Sequence, residues 1–261
     1  MGNASMIRAW RVALPWLAPV SAIIVWQVLS SRGVIPPTVL PEPVAVGKAG
    51  ASLITGGRLG EHVLVSTRRA MLGLAIGGSI GLQLRIINGD IPRCGQILDT
   101  TVQKLRTVPH LALIPLVILW FGIGEESRIF LVALGVLFPI YINTYHGVRN
   151  VDPALIEMAE NYGVSRGELF RRVILPGAMP SVLLGFRYAL GIMWLTLIVA
   201  ETISASNGIG YVTMNAREFL QTDVLVFATL LYAVLGKLAD LAARLLERRL
   251  LAWNLVYADA A

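Results

Sequence analysis

The sequence predicts an all-α polytopic membrane protein, a single domain over residues 1–261 with about six transmembrane helices. Three observations carry this. Composition is the first: 56% of residues are hydrophobic and 15% charged, where soluble domains carry about 25% charged residues. Uncharged runs are the second. They fall near residues 12–30, 66–87, 107–124, 129–148, 180–201 and 223–243, and about 20 residues of helix cross the hydrocarbon of a bilayer. The third is the placement of Lys and Arg, which are enriched in the cytoplasmic loops of membrane proteins. The same figures disfavour a soluble enzyme. No basic run with interleaved aromatics supports nucleic-acid binding, so the net charge of +6 belongs to loop arginines. A single cysteine, Cys94, excludes an intrachain disulfide, and no spacing suggests a metal site.

Arg8 and Arg11 precede an uncharged run from Val12 to Leu29 with no A-x-A site after it, which reads as an uncleaved first span. Pro36-Pro37 and Pro41-Glu42-Pro43 fix an extended, turn-rich entry. A weakly amphipathic helix is expected from about Val44 to Leu53, broken by Gly56-Gly57. The second span is expected to start at Ser66 or Arg69. Within it Gly73, Gly77 and Gly81 recur every fourth residue, the spacing that lets two helices approach closely in lipid. Asn88-Gly89-Asp90 with Pro92 reads as a turn, and Ile97 to Val108 as an amphipathic lead into the third span. Gly122 to Glu126 is a tight turn before the fourth span, Ile129 to Val148. The fifth runs from Pro180 to Ala200. Asn207 to Gly210 is a turn, Tyr211 to Leu220 a short helix, and Thr222 or Asp223 caps the sixth span.

Six spans place both termini and the loop between the fourth and fifth spans on one side. That side holds two basic residues in the N-terminal segment, and four each in the second–third loop, the fourth–fifth loop and the C-terminal helix. The other side holds Arg128 and Arg217 singly; the first loop, with five, is the exception. The rule therefore puts the termini in the cytoplasm.

The fourth–fifth loop, residues 152–176, is the longest polar interruption in the second half. Asp152 reads as an N-cap with Pro153 at the first helical position. Leu155, Met158, Ala159 and Tyr162 recur at helical spacing, and Gly163 suits the left-handed residue that closes a helix. Ser165 and Glu168 form a capping box for a second short helix carrying Leu169, Phe170 and Val173, which Leu175-Pro176 is expected to end. Neither half has the roughly 12–15 residues an isolated helix needs, so both require something to pack against. Capping alone leaves two readings open, an ordinary connector and a knuckle presented to a partner.

Glu157-Met158-Ala159, Gly163 and the closing Val173-Ile174-Leu175-Pro176 resemble the EAA signature of permease subunits in bacterial ABC importers, with Met158 in place of the usual alanine. The runs TVPHLALIPLVILWFGIG (Thr107 to Gly124) and MWLTLIVAETIS (Met193 to Ser204) extend the likeness to nearly the whole chain, Ala13 to Trp253, and to the branch that carries aliphatic sulfonates. Arg85 departs from the apolar or glycine residues usual at its position. The resemblance implies a type I ABC importer transmembrane fold in the bacterial inner membrane, working by alternating access. It implies a homodimer of this chain, two cytoplasmic ATPase subunits, and an extracytoplasmic substrate-binding protein. Glu157, Met158, Ala159, Tyr162, Gly163, Leu175 and Pro176 would form the element that couples to the ATPase. Permeases for nitrate, taurine or a pyrimidine precursor share this architecture and stay open as alternatives.

No phosphate-cradling G-x-x-x-x-G-K-[ST] occurs, since Gly47-Lys48 is followed by alanine and Gly236-Lys237 by leucine. ATP and Mg are therefore expected on a partner chain, with no cofactor, metal or catalytic residue here. H-E-x-x-H and G-x-S-x-G are absent too, which disfavours a membrane-anchored enzyme. His110 reads as a packed or hydrogen-bonded structural residue. Intramembrane charges cost at least ~2.5–3.5 kcal/mol at a helix centre unless paired or wet, so they are informative. Arg187 either faces an aqueous path, where it would attract an anion, or snorkels to the cytoplasm. Glu201 is expected to pair with Arg217 or to hold a gate. Trp194 and Thr196 are candidates for the wall of a substrate path, against the commoner role of helix packing.

Overall fold

The computed structural model describes residues 2–90 and 100–253. Among them every regular element is helical. In chain order these are α1 (Gly2–Ser31), α2 (Pro43–Thr55), α3 (Leu59–Asp90), α4 (Thr100–Arg106), a 3₁₀ turn (His110–Leu113) and α5 (Ile114–Phe121). There follow α6 (Glu125–Arg149), α7 (Pro153–Asn161), α8 (Arg166–Leu169), a π turn (Phe170–Ile174), α9 (Leu175–Ser204), α10 (Ile209–Glu218) and α11 (Thr222–Leu250). Five helices are long and apolar enough to cross a membrane, and a sixth crossing exists if the bent pair Thr100–Arg106 and His110–Phe121 is counted as one span.

That pair corrects the expectation of one straight span over 107–124. Thr100–Arg106 and His110–Phe121 meet at 80°. Pro109, extended at ψ 111°, stands in front of the 3₁₀ turn, and an X-Pro step disfavours helix at the residue before it. Cys94, Pro92, Arg93 and the first part of the Ile97–Val108 stretch lie outside the described residues. Two further boundaries move. Helix α3 begins at Leu59, not at Ser66 or Arg69, and runs through Asn88-Gly89-Asp90, which had the composition of a turn.

The centre of the bundle is α3, α6 and α9. Helices α3 and α6 run parallel along the glycine seam read in the sequence: a Cβ on Gly77 would sit 2.0 Å from the Ala133 carbonyl oxygen, and one on Gly73 2.5 Å from Val132. In lipid, with no hydrophobic drive between helices, such backbone approach is what stabilises association. Helix α9 packs antiparallel to α6 by the same device, with Gly185 against the Pro139 carbonyl and Asn143. Ala70, Val132, Val136, Leu190, Met193 and Leu197 fill the shared core. Among the described side chains helix α1 is exposed from Leu14 to Val25 and is tied to the rest near its end. There Trp26 Nε1 donates to the Pro41 carbonyl at 3.0 Å, and Ser30 Oγ to that of Leu40 at 3.3 Å.

Candidate functional site

Three places hold the polar residues singled out by sequence. The first is the turn between α6 and α9. Asp152 accepts from the Ala154 N–H at 2.9 Å with Pro153 at the first helical position. Gly163 has φ +72°, and its N–H and that of Val164 bond back to Glu160 (2.9 Å) and Ala159 (3.1 Å), a complete Schellman closure. Ser165 accepts from the Glu168 N–H at 3.4 Å, although the Glu168 carboxylate faces the Ser165 hydroxyl rather than its N–H.

Leu175-Pro176 does not end this second helix. The chain passes from α8 through the π turn into α9, where the Leu175 N–H reaches Phe170 five residues back. Proline lacks an N–H and its ring crowds the carbonyl four residues before it; the wider turn gives that ring room. The second helix of the knuckle is therefore continuous with a membrane helix. Of the α7 stripe only Ala159 is buried; Leu155, Met158 and Tyr162 are exposed, and Met158 and Tyr162 line, with Glu157, a hollow of about 460 Å³.

The second place is at the opposite end of the bundle, and most of it went unread in the sequence. Arg69 is 1% exposed inside α3, and its Nη1 meets Glu201, equally buried at the end of α9, at 2.6 Å. Glu201 also receives Ser66 Oγ at 2.8 Å, Tyr232 Oη at 3.0 Å and the Gly210 N–H at 2.9 Å. Arg69 Nε reaches Glu125 at 2.6 Å, its Nη1 donates to the Asn207 carbonyl at 2.9 Å, and its Nη2 touches both side chains. Glu125 in turn holds Arg128 at 3.0 Å. Glu201 thus pairs with Arg69 and not with Arg217: 132 residues separate the partners, far beyond local pattern. Gly208 (φ +102°) leaves no room for a Cβ, which would lie 2.6 Å from Glu201 Oε1. The Asn207–Gly210 turn is shaped to close over the pair. Arg68 and Arg69 also leave the first-loop tally of basic residues, since both stand within α3.

The third place lies between α9 and α11, nearer the knuckle. Arg187 Nε donates to Asp240 at 2.7 Å, and Nη1 stands 3.9 Å from Glu247. Asp240 also receives Arg244 at 3.0 Å and Lys237 at 3.4 Å. Trp194 and Thr196 turn inward, away from this cluster. Thr196 Oγ1 is 2.9 Å from His110 Nε2, and Trp194 packs edge-on to Tyr232. Of the four residues expected along a substrate path, then, Trp194, Thr196 and Glu201 are interior and Arg187 alone opens onto a cavity.

Comparison with known proteins gives this geometry a context. The chain is 59% identical over 97% of both lengths to the aliphatic sulfonates transport permease SsuC of Escherichia coli (strain K12). It is 46% identical to its Bacillus subtilis (strain 168) counterpart over 92% of this chain and 87% of that one. Identity to the taurine transport system permease TauC of Escherichia coli (strain K12) is 37%, over 88% and 86%. Among solved structures, an amino acid ABC transporter superposes with TM-score 0.64 at 17% identity, covering 76% of this chain and 97% of that one. The MetNI methionine ABC transporter gives 0.58 at 19%, covering 74% and 94%. The fold is that of type I ABC importer permeases. Residues 73–252 match the family described as binding-protein-dependent transport system inner membrane component, and the chain belongs to that family.

Proposed function

We propose that this protein is the membrane subunit of an ATP-driven importer that carries aliphatic sulfonates inward by alternating access. The observation that carries the reading is the end-to-end 59% identity to an aliphatic sulfonates permease. A taurine permease is a further relative, and taurine is itself a sulfonate. ATP and Mg act on a separate pair of ATPase subunits, which dock on the exposed Leu155, Glu157, Met158 and Tyr162 surface of α7. From α7 the closure of the ATPases passes through the capped Tyr162–Ser165 turn to α8, which the π turn makes continuous with the membrane helix α9. Two copies of the chain form the translocating unit, and a binding protein delivers substrate at the end where Glu201 lies. The chain itself makes and breaks no bonds.

Cells lacking this protein and any second sulfonate transporter should fail to grow on an alkanesulfonate as sole sulfur source yet grow on sulfate. Normal growth on the alkanesulfonate rejects the substrate. The knuckle and both termini face the cytoplasm. With Cys94 replaced by serine, a membrane-impermeant thiol reagent added to intact cells should label Glu126→Cys and spare Glu160→Cys; the reverse pattern rejects this orientation.

A further inference from the structure

We infer that the groove between α9 and α11 is a water-filled wall of the translocation path, and that Arg187 in it is a subsite for the substrate's sulfonate head group; this rests on the transport reading above. The groove encloses about 420 Å³ and is lined by Leu184, Tyr188 and Leu190 around Arg187 and Asp240. Arg187 stands twelve residues beyond Leu175, the first residue of α9, about 18 Å along the helix at 1.5 Å per residue. At that depth a charge must face protein or water. Here the cluster is open: Arg187 is 34% and Asp240 26% exposed, and the neighbouring Lys237 72%. Lipid tails over it would leave these charges without water, at a cost of at least ~2.5–3.5 kcal/mol for a charge at a helix centre.

Helix α11 separates the two environments. Val234, Leu238, Leu241 and Leu245 form an exposed apolar stripe on one face, suited to lipid, whereas Lys237, Asp240 and Arg244 follow one another on another face. The groove is also kept open by glycine for a reason different from the α3–α6 seam. A Cβ on Gly191 or Gly236 would meet nothing within 4 Å. These two glycines bring no helices together; they leave space.

The chemistry of the groove fits an alkanesulfonate. Three cations, Arg187, Lys237 and Arg244, face two carboxylates, Asp240 and Glu247, so one positive charge is left over for a monoanion. Arg187 holds Asp240 through Nε, and its two terminal nitrogens make no hydrogen bond among the described residues. That edge of a guanidinium takes two oxygens of an oxyanion at once, and Leu184 and Leu190 offer apolar surface to the alkyl tail. Asp240 accepts from Nε and holds the guanidinium in place.

The test uses membrane vesicles containing the assembled transporter with Cys94→Ser as background. Gly191→Cys, Gly236→Cys and the lipid-face control Val234→Cys are each treated with an anionic, sulfonate-bearing methanethiosulfonate reagent. Gly191→Cys and Gly236→Cys should react faster than Val234→Cys, and ethanesulfonate should slow them. Adding Arg187→Gln should lower the reaction rate and raise the ethanesulfonate concentration needed for protection by about tenfold or more, the scale of lost hydrogen bonds to a charged group. Groove cysteines as unreactive as Val234→Cys would mean that lipid or the second copy covers the groove, and the inference falls. Reactive cysteines that ethanesulfonate does not protect, in a parent that still takes up ethanesulfonate, overturn the subsite alone. Failure of the Cys94→Ser parent to take up any alkanesulfonate rejects the transport reading and the subsite with it.

Discussion

Arg69 and Arg187 are both arginines inside apolar helices, each joined to a carboxylate from a distant part of the chain, and they are built for opposite purposes. The Arg69–Glu201 pair is fully engaged: Glu201 receives a serine, a tyrosine, a backbone N–H and the guanidinium, while Arg69 spends its donors on Glu201, Glu125 and Asn207. The pair ties α3, α6, α9, α10 and α11 at one end of the bundle and is shut from solvent. Around Arg187 the carboxylate partner is shared among three cations, and part of the guanidinium is exposed with donors to spare. A buried charge pair that is fully satisfied fixes geometry; one that is open and under-satisfied has capacity for something else. The depth of a charge in a membrane helix does not distinguish these cases. The number of donors and acceptors left over does.

The largest expected effect breaks the first cluster. Arg69→Met leaves Glu201 and its donors buried with no cation, a loss of about 3–5 kcal/mol for a buried pair deprived of one partner. The variant should fail to accumulate as a monodisperse species when membrane extracts are run on size exclusion. Arg187→Met should accumulate like the parent, because its carboxylate keeps Lys237 and Arg244 and reaches water. Arg69→Met with Glu201→Met should recover part of the loss. Equal accumulation of the two single variants would erase the distinction drawn here.

Glycines sharpen the same contrast at intermediate size. Gly77→Ala places a methyl 2.0 Å from the Ala133 carbonyl in the packed α3–α6 seam, and overpacking of this kind costs roughly 1–3 kcal/mol. Gly236→Ala enters open space in the groove and gains helix propensity of about 1 kcal/mol. Thermal unfolding of the purified protein in nanodiscs should move down for the first and hold or rise for the second. A drop of similar size in both would mean that α9 and α11 are closer packed than the groove allows.

Much of this architecture was readable in the sequence because it is written locally. Runs of uncharged residues locate the spans, Gly73, Gly77 and Gly81 mark a real seam, and Asp152, Gly163 and Ser165 cap as their residue types demand. What local pattern could not supply falls into two kinds. Partners across the fold are invisible to it: Arg69 looked like the edge of a loop because Glu201 and Tyr232 are 132 and 163 positions away. The presence of a carboxylate and an arginine in separate spans was the only signal, and it does not say which pairs with which. Breaks and their absence are the other kind. Pro109 does interrupt a run that hydropathy makes continuous, whereas Pro176 fails to, because a π turn absorbs it. The sign of a proline's effect depends on whether the helix around it is held by packing.

The smallest effect on stability is expected to have the largest effect on coupling. Gly163 and Gly208 both adopt positive φ, but a Cβ on Gly208 would strike Glu201 while one on Gly163 would meet nothing. Gly163→Val therefore tests backbone conformation alone, at about 1–2 kcal/mol. That is small beside a bundle whose long helices are locked by glycine seams, and large for α7, nine residues that bury little beyond Ala159. Glu157→Lys reverses a charge on the same exposed surface without touching any membrane helix. Both variants should insert and purify like the parent. Both should lose co-purification with the ATPase subunit, or substrate-stimulated ATP hydrolysis in proteoliposomes. If both assemble, hydrolyse and transport at parental rates, the exposed face of α7 is only a connector, and coupling must enter the bundle elsewhere than through the π turn into α9.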